Sequence, residues 1–197
     1  YALRDVTSTV DVMPLIVSSI LSKKLAAGAD VIVLDVKTGS GAMMTTVDKA
    51  MELARTMVDI GNRTGRRFAA LVTDMNQPLG RYVGNALEVE EAIDILSGRT
   101  QGELKEVSLQ LGAQILRLSG KAKDAKEGYK LLSDALDRGE GLKKLAEMVK
   151  NQGGDSRAVY DTSLLPKADK TEELPSPRAG FISKIHTNMI GYAAKAL

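Results

Sequence analysis

Three polar residues near the start of the chain, Arg4, Ser19 and Lys23, are of the types expected in a small-molecule binding site. An arginine and a lysine supply charged donors to carbonyl oxygens, whereas a serine hydroxyl both donates and accepts hydrogen bonds. This combination suits an imide edge such as that of uracil. The two cations also favour negative charge that develops on a departing base.

Each of the three residues also has a simpler interpretation. Lysine and serine commonly lie on solvated helix surfaces, which would account for Lys23 and Ser19. Arg4 could form an ion pair with Asp5 or Asp11. Residue type alone does not decide between a ligand site and an ordinary surface.

A helix is predicted to position two of these residues. Asp11 is a candidate N-cap, Pro14 suits the first turn, and Gly28 follows the last apolar residues. Apolar residues recur at helical spacing and predict a core stripe formed by Met13, Ile16, Val17, Ile20 and Leu21. Ser19 and Lys23, four residues apart, should therefore share a different face of this helix.

Strand and helix patterns alternate in the next part of the chain. Residues 30–36 and 68–73 are short apolar runs typical of buried parallel strands, and a helix is predicted between them at 46–60. We interpret the glycines of the loop at 39–41 as a tight turn rather than a phosphate cradle. The pattern predicts an α/β fold with a parallel or mixed sheet flanked by helices.

The second half of the chain is predicted to be mainly helical. Asn85 and Glu88 have the spacing of a capping box and should open a helix that ends before Gly98. Residues 103–149 are helical in pattern, with breaks near glycines, and should form a helical cover.

Three regions are predicted on this basis. Residues 1–165 should form an incomplete α/β substrate-binding domain without its phosphate-binding part, and 166–179 a polar, proline-punctuated linker. Residues 180–197, which open with a strand-like run at 180–185, should start a small C-terminal α+β domain. Both ends of the chain resemble cut ends, which favours a piece of a longer protein.

Composition argues against several function classes. The 27 basic and 25 acidic residues are scattered and give a net charge of only +2, aromatic residues make up 4%, and tryptophan is absent, so nucleic-acid binding is not favoured. No apolar run approaches the roughly 20 residues needed to span a bilayer, so no membrane role is expected. The absence of cysteine fits a reducing compartment, and cytoplasm is the expected location.

The chain resembles the thymidine and pyrimidine-nucleoside phosphorylase family in three runs: YALRDVTSTVDVMPLIVSSILSKKLAAGADVIVLDVKTGSGAMM, TDMNQPLG and GNALEVEEAIDILSG. The likeness extends from residue 1 to about 98 and continues more loosely to the linker. It implies phosphorolysis of uridine- or thymidine-type nucleosides to the free base and pentose 1-phosphate. It also implies orthophosphate as co-substrate, no organic cofactor, and a homodimer.

The resemblance implies that the base is bound by the same three polar residues that were selected above from their chemistry. Family members bind the base through the arginine of LRDVT and the serine and lysine of SSILSKK, which correspond to Arg4, Ser19 and Lys23. The apolar lining of the base pocket would be Val10, Ile16 and Met43. At Met43 many relatives carry phenylalanine, so this chain keeps the apolar character of the position without the aromatic ring edge.

The resemblance also implies a potassium ion, held by the backbone carbonyls of Leu79 and Tyr82 and the carboxylate of Glu91. Hard cations take oxygen ligands, and a carbonyl can serve whatever its side chain is. The simpler interpretation is that Glu91 is an exposed helix carboxylate.

Two alternatives stay open beside the phosphorylase. The chain could be a catalytically silent piece that only binds a base or packs against other elements. A phosphoribosyltransferase-like enzyme is the other, and the pairing of LRDVT with SSILSKK argues against it. The family's phosphate loop, rich in lysine, serine and glycine, has no counterpart in this sequence.

Overall fold

The fold is built on two parallel strands. The computed structural model describes residues 2–197, except the side chains of Ala2 and Asp5. Strands β1 (Val31–Thr38) and β2 (Arg67–Asp74) pair so that the first residues of each strand, and likewise the last, lie opposite one another. Both predicted strands are confirmed, with ends within two residues of the prediction, and so is the α/β fold class.

Helices precede, connect and follow the two strands. They are α1 (Ala2–Val6), α2 (Met13–Ala26), α3 (Val47–Arg63), α4 (Asn85–Leu96), α5 (Glu103–Leu118), α6 (Ala125–Asp137), α7 (Glu140–Asn151) and α8 (Thr187–Ala196). Helix α3 is the crossover that parallel pairing requires. The predicted helical cover is confirmed as α5 to α7, and two 3₁₀ turns, Ser156–Val159 and Thr162–Leu164, follow it.

The hydrophobic core lies between the sheet and the pair α2 and α3. Alternate residues of β1 are buried, as the period of a strand dictates. The buried members of this core are Ile16, Val17, Leu21, Ile32, Leu34, Val36, Met44, Ala50, Leu53, Ala54, Met57 and Phe68. Helix α5 also contacts both strands, and its buried residues Leu109 and Ala113 are not part of this cluster. The sheet is therefore covered by helices on both faces.

Two predicted helix caps are wrong. The N-cap of α2 is Val12, which makes no side-chain cap hydrogen bond, because Asp11 lies one residue too early to reach the first-turn amides. The N-cap of α4 is Gly84, with φ of 113°, rather than Asn85. The glutamate of the predicted capping box does cap the helix: Glu88 Oε1 accepts a 2.9 Å hydrogen bond from the backbone N–H of Gly84.

The strand-like run at 180–185 has no regular secondary structure. A strand needs a neighbour for its N–H and C=O groups, and neither described strand pairs with this run. Helix α8 follows directly. The division into domains at 165 and 180 stays a prediction.

The turn after α7 contains a strongly perturbed carboxyl. Asp155 caps the first 3₁₀ turn and accepts hydrogen bonds from the guanidinium of Arg157, the shortest being 2.6 Å from Nη2, and from its backbone N–H. These bonds lower the pKa of Asp155 from 3.8 to about 2. Because the folded-state pKa is depressed, the contribution of this contact to stability is complete above about pH 4 and lost as the pH falls through about 2.

A methyl group added at Gly61 should destabilise the fold. A Cβ at this buried position of α3 would lie 2.5 Å from the ring of Phe68. We expect Gly61→Ala to cost about 1–3 kcal/mol, measured as a lower urea unfolding midpoint. Gly191→Ala in α8 is the matched control, because nothing lies within 4 Å of its Cβ and alanine favours a helix. Equal midpoints for both variants would contradict this packing.

The Asp155 contact is testable by carboxyl NMR titration. We expect a midpoint of about 2 for Asp155 in the wild-type protein. Arg157→Gln should raise that midpoint towards the ordinary value, because the charged donor is removed. The carboxyl of Glu140, whose pKa is lowered by the guanidinium of Arg138, serves as a reference that should not respond to this change. An Asp155 midpoint that is the same in both proteins would show that Arg157 is not the cause.

Candidate functional site

Helix α2 brings Ser19 and Lys23 into contact. The Nζ atom of Lys23 donates a 3.2 Å hydrogen bond to Oγ of Ser19. Ser19 is half-buried and Lys23 exposed, whereas Ile16, Val17 and Leu21 of the same helix are buried in the core. The predicted division of α2 into an apolar and a polar face is therefore confirmed. Since Ser19 accepts this bond, its own proton is directed elsewhere.

Arg4 lies in α1 and folds onto the turn that leads into α2. Its Nη2 donates to the carbonyls of Thr9, at 3.1 Å, and Val10, at 2.6 Å. Its Nε is buried and finds no acceptor among the described residues. A buried donor left unsatisfied costs on the order of 1–3 kcal/mol, so the hydrogen bonding of Arg4 is incomplete in this arrangement.

The three apolar residues proposed for the pocket differ in exposure. Val10 is 36% exposed, and its carbonyl is one of the two that Arg4 binds. Met43 is 54% exposed in the loop after β1. Ile16 is only 2% exposed and belongs to the core under α2. Val10 and Met43 thus present apolar surface, while Ile16 supports the helix that carries Ser19 and Lys23.

The glycine loop after β1 is a tight turn, as interpreted from the sequence. The backbone N–H of Gly39 donates to the carbonyl of Met44 at 3.1 Å, and that of Gly41 to the carbonyl of Met75 at 2.9 Å. The N–H of Ser40 donates to Oδ1 of Asn76 at 3.1 Å. All three amides that could cradle an anion are therefore used within the fold.

Glu91 is buried, contrary to its simpler interpretation as an exposed carboxylate. It is 5% exposed, and Oε1 and Oε2 accept hydrogen bonds from the backbone N–H groups of Arg81, at 2.8 Å, and Tyr82, at 3.1 Å. A Cβ on Gly80 would contact this carboxylate, so the loop can wrap it only because residue 80 is glycine. Leu79, Tyr82 and Glu91 line one cavity of about 430 Å³.

The surroundings of Glu91 fit a cation in part. A buried carboxylate is costly unless its charge is offset, and two neutral amides offset it less than an ion would. The described residues include no cluster of three or more acidic or histidine side chains suited to a metal. A cation bound here would therefore depend on backbone carbonyls such as those of Leu79 and Tyr82.

The structure contains two polar contacts that the sequence analysis did not predict. Lys37 Nζ pairs with Oδ2 of Asp35 at 2.7 Å and donates to Oγ1 of Thr73 at 2.8 Å, across the two strands. The spacing of Asp35 and Lys37, on one face of a strand, was a signal for this pair. Ser40 contacts Thr187, 147 residues away, and nothing in the sequence signals that contact. His186, the single histidine, is exposed.

Comparison with known proteins supports the resemblance inferred from the motifs. Residues 1–142 match the family described as Glycosyl transferase family, a/b domain. The pyrimidine-nucleoside phosphorylases of Staphylococcus aureus strains bovine RF122 / ET3-1 and USA300 are each 50% identical over 197 residues, which cover 100% of this chain and 46% of theirs. The chain thus spans about half the length of these relatives. Within residues 2–197, no helix is long and apolar enough to cross a membrane.

Proposed function

The chain belongs to the Glycosyl transferase family, a/b domain, and on that premise we propose that its complete gene product is a pyrimidine-nucleoside phosphorylase. The observation that carries this proposal is the direct contact of Ser19 and Lys23 on the polar face of α2. The 50% identity to pyrimidine-nucleoside phosphorylases over the whole chain supports it.

The proposed reaction is a pentosyl transfer to orthophosphate. A phosphate oxygen forms a bond to the anomeric carbon while the bond from that carbon to the base nitrogen breaks. The electron pair leaves with the uracil or thymine, which is protonated on release, and the other product is pentose 1-phosphate. The transition state has oxocarbenium character, and no covalent enzyme intermediate is required.

In this proposal Arg4 and Lys23 hold the base carbonyls and Ser19 holds the imide edge. Positive charge at Arg4 and Lys23 stabilises the leaving anion more than the bound nucleoside, and this difference is what accelerates the reaction. No group that forms a bond to the substrate is assigned within this chain.

The apolar side of the base pocket is assigned to Val10 and Met43, with Ile16 contributing from the core. An unbranched methionine adapts to the shape of a bound ring. We place the orthophosphate site in residues outside these 197, because every backbone amide of the 39–41 turn is already used. We also propose a homodimer in the cytoplasm, a location that the lack of cysteine fits.

Removal of the Lys23 ammonium group tests the function. In the complete gene product, we expect Lys23→Ala to lower kcat/KM for phosphate-dependent release of uracil or thymine by at least about 10²-fold, as when one transition-state donor is lost. Lys24→Ala is the matched control, since Lys24 is an exposed lysine on the same helix. Its activity should be close to that of the wild type.

The outcomes separate the candidate functions. If the wild-type protein releases base only with phosphate and Lys23→Ala alone is impaired, the phosphorylase is supported. If it binds uridine or thymidine but releases no base, the chain belongs to a silent base-binding module. Equal loss in both lysine variants would show that the effect is not specific to the proposed site.

We further propose that a potassium ion binds the carbonyls of Leu79 and Tyr82 and the carboxylate of Glu91. The ion would offset the charge of the buried carboxylate and fix the 79–82 loop. It has no part in bond breaking. The three residues line the same cavity, which supports the assignment.

A bound potassium ion should raise the melting temperature. We expect Tm of the complete gene product, which should be about twice as long as this chain, to fall by roughly 1–2 °C, the effect of about 1 kcal/mol, when tetramethylammonium replaces potassium at equal ionic strength. Glu91→Gln should abolish this difference, whereas Asp94→Asn, at a carboxylate of the same helix that does not line this cavity, should keep it. A wild-type Tm that is equal in both salts would overturn the ion site.

A further inference from the structure

We propose that Ser40 and Thr187 form a positioning pair that fixes the Met43 loop, residues 39–44, and thereby sets the affinity for the base. The inference rests on the proposed function, because Met43 is assigned there to the base pocket. It gives residues 185–187 a role in substrate binding that their place beyond the proline-rich linker does not suggest.

The hydroxyl of Ser40 joins the pair, and all of its hydrogen-bonding positions are occupied. Oγ of Ser40 donates to the carbonyl of Ile185 at 3.0 Å. It lies 3.1 Å from Oγ1 of Thr187 and accepts from the backbone N–H of Thr187 at 3.3 Å. One donor and two acceptor positions are what a serine hydroxyl offers, so this geometry uses all of them. Thr187 is 6% exposed, which shields these bonds from water.

Close packing adds to the hydrogen bonds. A Cβ on Gly41 would lie 2.7 Å from Cγ2 of Thr187 and 3.1 Å from Cγ of Met75. The methyl group of Thr187 therefore occupies the space that any other residue at 41 would need. The turn can shift away from Thr187 only by opening this contact.

The constraint reaches Met43 through the backbone of the turn. The N–H of Ala42 donates to the carbonyl of Gly39 at 3.1 Å, and the N–H of Gly39 donates to the carbonyl of Met44 at 3.1 Å. Met43 thus lies between two residues that are both tied to Gly39, the neighbour of Ser40. Holding Ser40 in place fixes the direction in which the exposed Met43 side chain leaves the loop.

The same segment also contacts the loop after β2. Ile190 and Gly191 of α8 line the cavity that contains Leu79, Tyr82 and Glu91. Residues 185–191 therefore connect the two loops that follow the parallel strands, which is where open α/β sheets bind ligands. A segment in this position can keep the two loops at a fixed position relative to each other.

The test uses three variants of the complete gene product. Ser40→Ala and Thr187→Val remove one hydroxyl each, and valine keeps the methyl packing on Gly41. We expect each to raise KM for uridine or thymidine about 5–10-fold, with kcat and the KM for phosphate within about twofold, because uniform binding of the nucleoside is weakened. Thr187→Ser, which keeps the hydroxyl, should restore a KM close to that of the wild type.

A control and a double variant separate positioning from general destabilisation. Thr162→Val removes another long-range hydroxyl contact, the 3.4 Å bond from Oγ1 to Glu90, and should leave both KM values unchanged. The double variant Ser40→Ala/Thr187→Val should be no worse than Ser40→Ala, because loss of the Ser40 hydroxyl already removes the one side-chain contact that Thr187→Val breaks. Additive losses, or an equal rise in the KM for phosphate, would overturn the pair.

The two proposals fail in distinguishable ways. An active wild-type protein whose Ser40→Ala and Thr187→Val variants keep the wild-type KM overturns the positioning pair alone. A wild-type protein that releases no base overturns the phosphorylase, and the positioning role with it. If the variants are recovered unfolded, hydrogen exchange in the wild type decides. Added uracil should slow exchange at 39–44 and 185–187 together, and slowing at 39–44 alone overturns the pair.

Discussion

The parallel pairing of β1 and β2 is the constraint on which the other features depend. Parallel strands point the same way, so the loops that follow them meet at one edge of the sheet. The backbone bond from the N–H of Met75 to the carbonyl of Thr38, at 2.7 Å, continues the ladder past the strand ends and joins these loops. The 39–44 loop and the segment that begins at Met75 leave the sheet side by side because the ladder holds their starting points together.

The second constraint is the burial of one side of α2. Ile16, Val17 and Leu21 pack onto the sheet and α3, and this fixes the rotation of the helix about its axis. Once that rotation is fixed, Ser19 and Lys23 must lie on the other side, four residues apart and in contact. The polar site therefore depends on the apolar packing beneath it, and a change in the core would move both side chains together.

Polar contacts between distant segments hold the loops that follow the two strands. Glu91 holds the 79–82 loop through two backbone amides, and Ser40 holds the start of α8 through its hydroxyl. Both contacts are well shielded from water, since Glu91 and Thr187 are buried. Shielded hydrogen bonds are costly to leave unmade, so these two loops are restrained more strongly than their lack of regular structure implies.

The sequence by itself determined the elements and the local side-chain relations. Short apolar runs located both strands, and helical patterns located α2, α3 and the helical cover, because an element's own repeat decides which of its residues can be buried together. The helical repeat of α2 also placed Ser19 beside Lys23. Helix starts were less predictable, as at Asp11 and Asn85, because a cap depends on one residue of register.

Only the tertiary structure decided the contacts made across long separations. The burial of Glu91, the use of the 39–41 amides inside the fold and the pairing of Ser40 with Thr187 have no local pattern. The run at 180–185 shows the same limit, since its strand-like composition does not become a strand without a neighbouring one. Local sequence sets which face of an element is apolar, whereas the partner of a polar group is set by the path of the whole chain.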